Sequence, residues 1–160
     1  MRVYLKNTLD ESEESGAWFT IPINLKAVEH MLGKGSYVVA NTELPFFLEN
    51  GHYDLEELNR VCEKVESFSD FFPQEDIIEI QKKWFRNIFD LLDHVDELEY
   101  WANCTSMLEV AERMIESQGN ELGDLPGDLK KHVNLNRYAE DLEAKRDFLI
   151  TETSVFERRK

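Results

Sequence analysis

The sequence predicts an α+β chain, with strands and helices at the N-terminus, an all-helical middle and mixed structure at the C-terminus. Three observations carry that reading. Short stretches near both ends alternate apolar and polar residues. The stretches between them repeat apolar residues at three- and four-residue intervals. No glycine- or serine-rich linker separates the parts.

Taken in order, Arg2 to Thr8 alternates, with Val3 and Leu5 on one face and Tyr4 and Lys6 on the other, as a short strand does. An acidic, turn-rich loop follows at 10–16. Ala17 to Ile21 form a second strand, stopped by Pro22. Asn24 caps a helix through Leu32, and Gly33 ends it. A third strand lies within Ser36 to Thr42. Asp54, with Glu57 three residues later, has the capping-box pattern for a helix whose apolar side is Leu55, Leu58, Val61, Cys62 and Val65. The first third therefore reads β-β-α-β-α, an antiparallel sheet with helices.

In the middle, Pro73 followed by Glu75 and Asp76 suits a helix N-terminus. The broad apolar stripe from Ile77 to Val95 calls for one bent helix or two helices between Gln74 and His94. In the last third, Tyr100 to Cys104 reads as a strand. Thr105 or Ser106 caps a helix with Leu108, Val110, Ala111, Met114 and Ile115 inside. A turn at 119–123 and short helices at Leu125 to His132 and Leu135 to Glu143 come next, and Phe148 to Thr151 with Val155-Phe156 form a hairpin or two edge strands. The expected parts are 1–62, 63–98 and 99–160. Trp18, Trp84 and Trp101 fall on apolar stripes and read as core.

Charge is the unusual feature. The 33 Asp and Glu against 18 Lys and Arg give a formal net charge of -15 in 160 residues, well beyond the roughly 2–8 charges that keep a small domain soluble. Apolar residues at 42% suffice for a core, so this is no disordered acidic tail. The excess is spread evenly: residues 1–62 hold 10 acids and 5 bases, 63–98 hold 10 and 4, and 99–160 hold 13 and 9. Direct binding to DNA or to an anionic membrane is disfavoured, since both are polyanions. A partner with a basic surface, halophilic adaptation and drift remain as causes.

The motifs of enzymes are missing. There is no phosphate-cradling glycine loop, no Gly-x-Ser-x-Gly and no His-Glu-x-x-His. His30, His52, His94 and His132 are far apart in sequence, Cys62 and Cys104 form no Cys-x-x-Cys pair, and carboxylates are too abundant for any two to be singled out as acid and base. No metal, cofactor or catalytic residue is expected. The start of the chain shows no signal peptide, and no apolar run approaches the roughly 18–20 residues of a membrane span, so the expectation is a cytoplasmic protein.

The acids fall in rows. Carboxylates at i and i+3 or i+4 on a helix lie about 5–6 Å apart at Cβ. Glu56, Glu63, Glu66 and Asp70 share one side; Glu75 and Glu79 pair, with Asp76 beside them. Asp90, Asp93 and Glu97 make a stripe flanked by Asp96, and Glu109, Glu112 and Glu116 make another. On the pattern alone these read first as the solvated faces of ordinary helices, with weak i,i+4 interactions. Duplex DNA carries one negative charge every ~3.4 Å per strand, and helical rows are one of the few protein arrangements that approach such a density.

Three segments resemble the ArdA antirestriction family. Gly16-Ala17-Trp18-Phe19-Thr20-Ile21-Pro22 is similar to its opening strand and helix. Glu43-Leu44-Pro45-Phe46 followed by Leu55-Glu56-Glu57-Leu58-Asn59 resembles its second motif. Ala111-Glu112, Gly123-Asp124-Leu125-Pro126 with Leu129, and Tyr138 with Asp141-Leu142 resemble its C-terminal signature. Each motif alone is weak; their common order is what is specific. The resemblance implies three small domains in an elongated, curved monomer. It also implies a two-fold homodimer through the C-terminal domain, in contact at Leu125, Pro126, Leu129, Tyr138 and Asp141. The partner implied is a Type I restriction–modification enzyme in a host bacterial cell, whose DNA groove the acidic rows would occupy in place of DNA. Shape fit and apolar contact from residues such as Phe46 and Phe47 would supply part of what charge does not. An inhibitor of another DNA-binding machine, such as a CRISPR nuclease or nucleoid protein, is the alternative. Two departures stand out: Lys82, Lys83 and Arg86 are basic where a decoy face should be acidic, and Val133-Asn134-Leu135 and Ala139-Glu140 replace an acidic residue and a Gly-Arg pair.

Overall fold

The computed structural model describes residues 1–10, 16–117 and 134–160. The chain packs as two compact units, Met1–Asp93 and His94–Lys160. It is α+β, with two three-stranded antiparallel sheets and six α-helices among the described residues.

In the first unit, β1 (Arg2–Asn7) lies between β2 (Gly16–Thr20) and β3 (Tyr37–Glu43). Tyr4 faces Trp18 across one ladder and Arg2 faces Glu43 across the other. Alternation works as the pattern predicts: Val3 and Leu5 are fully buried and Lys6 is exposed. The register with β3 shifts between Tyr4 and Leu5, a β-bulge that leaves Ala40 unopposed. Outside β3, Gly51 exchanges two backbone bonds with Val39, at 2.8 and 3.0 Å.

Helix α1 (Leu25–Leu32) starts at Asn24, whose side chain accepts from the Lys26 N–H at 2.9 Å, and stops at Gly33 with φ 76°, a conformation suited to glycine. Its C-terminal turn is held by a buried residue with no sequence signature. The Asn7 amide donates to the Leu32 carbonyl at 2.9 Å and accepts from the Leu9 N–H at 3.0 Å. A Cβ at Gly35 would collide with that amide. Helix α2 (Leu55–Phe68) is capped by Asp54, which accepts from the N–H groups of Glu56 and Glu57, and buries Leu58, Val61, Cys62 and Val65. From the same helix, Asn59 reaches the loop before α1 and pairs with both backbone groups of Ile23, at 2.7 and 2.8 Å.

The apolar stripe of the middle becomes two helices, α3 (Ile77–Trp84) and α4 (Ile88–Asp93), after a 3-10 turn at Gln74–Asp76. They bury Ile77, Ile80, Ile88 and Leu91. Gln81, 3% exposed, turns its amide onto the loop after β3. It accepts from the Phe47 N–H at 3.1 Å and donates to the Phe47 carbonyl at 2.8 Å.

In the second unit, β6 (Val155–Arg158) runs between β4 (Leu98–Trp101) and β5 (Asp147–Ile150). Helices α5 (Met107–Ser117) and α6 (Leu135–Lys145) pack together, with Val110, Ala111, Met114, Ala139 and Leu142 in a core shared with Trp101, Phe148 and Val155. Several expectations need correction. The strand expected at Tyr100 to Cys104 begins at Leu98 and ends at Trp101, because Asn103 turns left-handed at φ 63°. Leu108, expected inside, is 39% exposed. Of the two forms expected for the C-terminal stretch, β5 and β6 make the hairpin, not two edge strands: β6 is central, and its Glu157 is buried, accepting from the Trp101 indole at 3.3 Å and the Arg146 guanidinium at 3.4 Å. Trp18 is not core either. It is 37% exposed, edge-on to Tyr4 and beneath the Arg2 guanidinium. The expected turn at 119–123 and helix at Leu125 to His132 lie outside the described residues.

Asn59→Ala strips partners from two backbone groups of Ile23, so it should destabilise the protein by about 1–3 kcal/mol in urea unfolding. Lys64→Ala, an exposed change on the same helix, should fall within about 0.5 kcal/mol of wild type.

Candidate functional site

The acidic positions anticipated from the sequence sort into three structural classes. The first is exposed. Helix α2 buries Leu58, Val61, Cys62 and Val65, so its opposite face carries Glu56 and Glu63 at heptad spacing, with Glu66 beside them and Asp70 just past the helix end. Glu75, Glu79, Asp93, Asp96, Glu112 and Glu116 are exposed as well. So is Glu57, which sequence spacing passed over because it reads as half of a capping box.

The second class is committed to local structure and half-buried. Asp90 accepts from the Arg86 N–H at 3.0 Å while Asn87 accepts from the Asp90 N–H at 2.9 Å, a reciprocal cap at the start of α4. Glu109 accepts from the Thr105 N–H at 2.6 Å and caps α5 in the same manner, with the Ser106 hydroxyl accepting from its own N–H. Glu97 is ion-paired with Arg158 at 2.9 Å. The third class is Asp76 alone. At 4% exposed it is withdrawn from the surface and does not stand beside Glu75 and Glu79 as a charge open to a partner. The stripe expected to join Asp90, Asp93 and Glu97 is also broken. Helix α4 ends at Asp93, and Asp96 and Glu97 sit in a separate 3-10 turn, Val95–Glu97, belonging to the second unit.

The basic departures acquire a local cause. Lys82 and Lys83 occupy the last turn of α3, where cations complement the helix dipole. Lys83 also lies over the Trp84 ring, 5.3 Å from its centre. Of the expected dimer residues, Tyr138 is half-buried on α6, its hydroxyl toward the Met114 sulfur at 3.9 Å, and Asp141 is exposed on the same helix. Leu125, Pro126 and Leu129 lie outside the described residues. Phe46 is 2% exposed and belongs to the core, while its neighbour Phe47 is 54% exposed.

A cavity of about 780 Å³ is lined by Glu29, Ser36, Tyr37, His52, Asp54 and Glu56, among others. Its Ser36 hydroxyl is 3.5 Å from His52 Nδ1, but that nitrogen is closer, at 3.3 Å, to the Tyr37 carbonyl. Among the described residues no three His, Cys, Asp or Glu side chains are placed to hold a metal ion, and no helix is long and apolar enough to cross a membrane. Cys62 and Cys104 are both free and buried. Burial pushes the Cys62 thiol up to about 11, with the N-terminal ammonium group lowering it and Glu66 adding to the rise.

The family model described as antirestriction protein (ArdA) matches residues 9–157 of the chain. No curated protein matches it.

Cys62 offers a check on the buried face of α2. Its thiol is harder to ionise when folded than at its ordinary value of 9.0, so the stability it contributes is complete below pH 9 and is lost as pH rises toward 11. Cys62→Ala should flatten that alkaline loss in denaturant titrations between those limits. A thiol reagent at pH 8 should label neither cysteine until the protein is unfolded.

Proposed function

This chain belongs to the ArdA antirestriction protein family, and we propose that it works as a protein decoy for DNA, occupying the DNA-binding groove of a Type I restriction–modification enzyme and blocking both restriction and modification. The observation that carries the proposal is the exposed carboxylate rows on helices of both units, Glu56, Glu63 and Glu66 on α2 and Glu112 and Glu116 on α5, in a chain of net charge -15. The family is one of inhibitor proteins rather than enzymes.

The mechanism follows from what such an enzyme needs. Its groove offers Lys and Arg to phosphates, and those contacts position a duplex without reading it. Carboxylates on a rigid frame satisfy the same side chains. They present no base edge to recognise and no base to flip, so neither methylation nor cleavage follows. No single acid is decisive, since exposed ion pairs are each worth about 0–1 kcal/mol. The capping acids Asp90 and Glu109 contribute by holding helices that display the others. We place the action in the cytoplasm of the host cell. A two-fold dimer suits a target that reads a bipartite site, with Tyr138, Asp141, Leu125, Pro126 and Leu129 in the contact. The edge strand β5, with Ile150 42% exposed, gains cover in such a dimer.

The test is a titration of a Type I methyltransferase core with this protein and labelled cognate duplex together. Mutual exclusion is expected; simultaneous binding of both would overturn the decoy reading. Glu79→Gln alone should leave inhibition nearly unchanged, while combined neutralisation of Glu63, Glu66, Glu75, Glu79 and Asp93 should weaken it step by step. An exposed carboxylate whose single loss abolished inhibition in a folded protein would point instead to a discrete site. Duplex affinity should fall with salt at about -0.9 per phosphate neutralised on a log–log plot. The protein's acids are sparser and mixed with 18 bases, so its own slope should be shallower, and rising salt should shift competition in its favour.

A further inference from the structure

The exposed carboxylates explain attraction to a basic groove, and the first unit also turns several apolar side chains to solvent, Phe47 among them. In the loop between β3 and α2, Phe46 and Leu48 are buried at 2% and 5% exposed, and Phe47 between them is turned out at 54%. A lone exposed apolar side chain is ordinary on a protein surface. What sets Phe47 apart is how it is held. Its N–H and its carbonyl are both bonded to the amide of Gln81, at 3.1 and 2.8 Å, and Gln81 is itself 3% exposed on α3. Two core side chains flank the residue and one buried amide grips its backbone, so the ring leaves the surface from a fixed point. Ordering a loop before binding removes an entropic penalty that a mobile loop would incur on docking.

From this geometry we infer that Phe47 is the uncharged anchor of the interaction with the target, inserted into an apolar recess among the lysines and arginines of its DNA-binding face, and that Gln81 is the residue that positions it. The inference rests on the decoy reading above. Binding energy at protein interfaces concentrates in a few well-packed, largely aromatic side chains surrounded by contacts that exclude water. A surface built only of carboxylates has no such centre and would bind any basic groove; a fixed ring demands a recess at one place. The partner's charge follows from the neighbourhood. Glu49, two residues on, is exposed, and so are Glu56 and Glu57 where this loop runs into α2. A second copy of this chain would bring the same acids up against them, whereas a basic face complements them.

The experiment compares wild type, Phe47→Ala and Phe47→Leu for binding to a Type I methyltransferase core across a salt series, with labelled duplex as competitor. Phe47 is mostly exposed, so the variants should unfold with the wild type in urea. Phe47→Ala should weaken binding about tenfold or more, with Phe47→Leu between the two, and by the same factor at every salt concentration, because an apolar contact releases no counterions. Acid-neutralised variants should differ by changing the slope. The positioning role is read from a double-mutant cycle: Gln81→Leu should weaken binding when Phe47 is present and add little when it is Ala. Equal loss in both backgrounds would make Gln81 merely structural. Unchanged affinity for Phe47→Ala, with wild type still excluding duplex, would overturn the anchor and leave the decoy standing. Weakened binding by Phe47→Ala with duplex bound alongside would overturn the decoy and keep the anchor at another surface of the enzyme. No binding by any of the proteins would overturn both.

Discussion

Neutral amide side chains hold the loops of the first unit to its framework. Asn7 closes the C-terminal turn of α1, Asn59 joins α2 to the loop at Ile23, and Gln81 joins α3 to the loop at Phe47. Each of the last two donates and accepts at the same residue, as a neighbouring strand would, and so satisfies a pair of backbone groups in a segment that has no ladder. In a chain with 33 acids and 18 bases, ion pairs are poor candidates for this work. A buried ion pair carries a desolvation penalty that a buried amide largely escapes. The amides tie the structure together without drawing on charge of either sign.

That leaves the carboxylates free for two other tasks. Some finish helices: Asp54, Asp90 and Glu109 accept from N–H groups that have no partner within their own helix. Their negative charge is also well placed there against the positive end of the helix dipole. Others, such as Glu63, Glu66, Glu112 and Glu116, are displayed on the outward faces of helices whose inward faces are packed. Because the inward faces are set by close packing, the spacing of the displayed acids is set as well. Lys82 and Lys83 fit the same logic at the other end of a helix, so basic residues within an acidic protein need no separate function.

The second unit solves the charge problem differently. Its central strand buries Glu157, bonded to the Trp101 indole and to Arg146, with Arg159 at 3.7 Å. Arg158 at the end of β6 pairs with Glu97, just before β4, and Arg159, just past β6, also with Glu99 of β4, so bases near the C-terminus neutralise acids at the start of β4. Removing one member of such a cluster leaves a buried charge without compensation, which is where ion pairs become structurally decisive.

The sequence by itself determined the class of fold, most of the elements and the sign of the surface. Periodicity and capping are local properties: Val3 and Leu5 alternate, Asn24 and Asp54 cap, Gly33 stops a helix, and each works within a few residues along the chain. Family membership was legible for a related reason, since colinear short motifs survive in the chain order. Tertiary structure alone decided which acids face outward. Asp76 and Glu79 look alike in sequence, yet one is buried and the other exposed, because burial depends on what a distant segment brings against the helix. The same holds for Phe46 and Phe47, adjacent and identical in type, and for Gln81, an unremarkable polar residue until the loop at Phe47 meets its amide 34 residues away in the chain. The strand order that puts β6 in the centre of its sheet belongs there too. Pairing is chosen between segments, and no local pattern of apolar residues encodes which neighbour a strand will have.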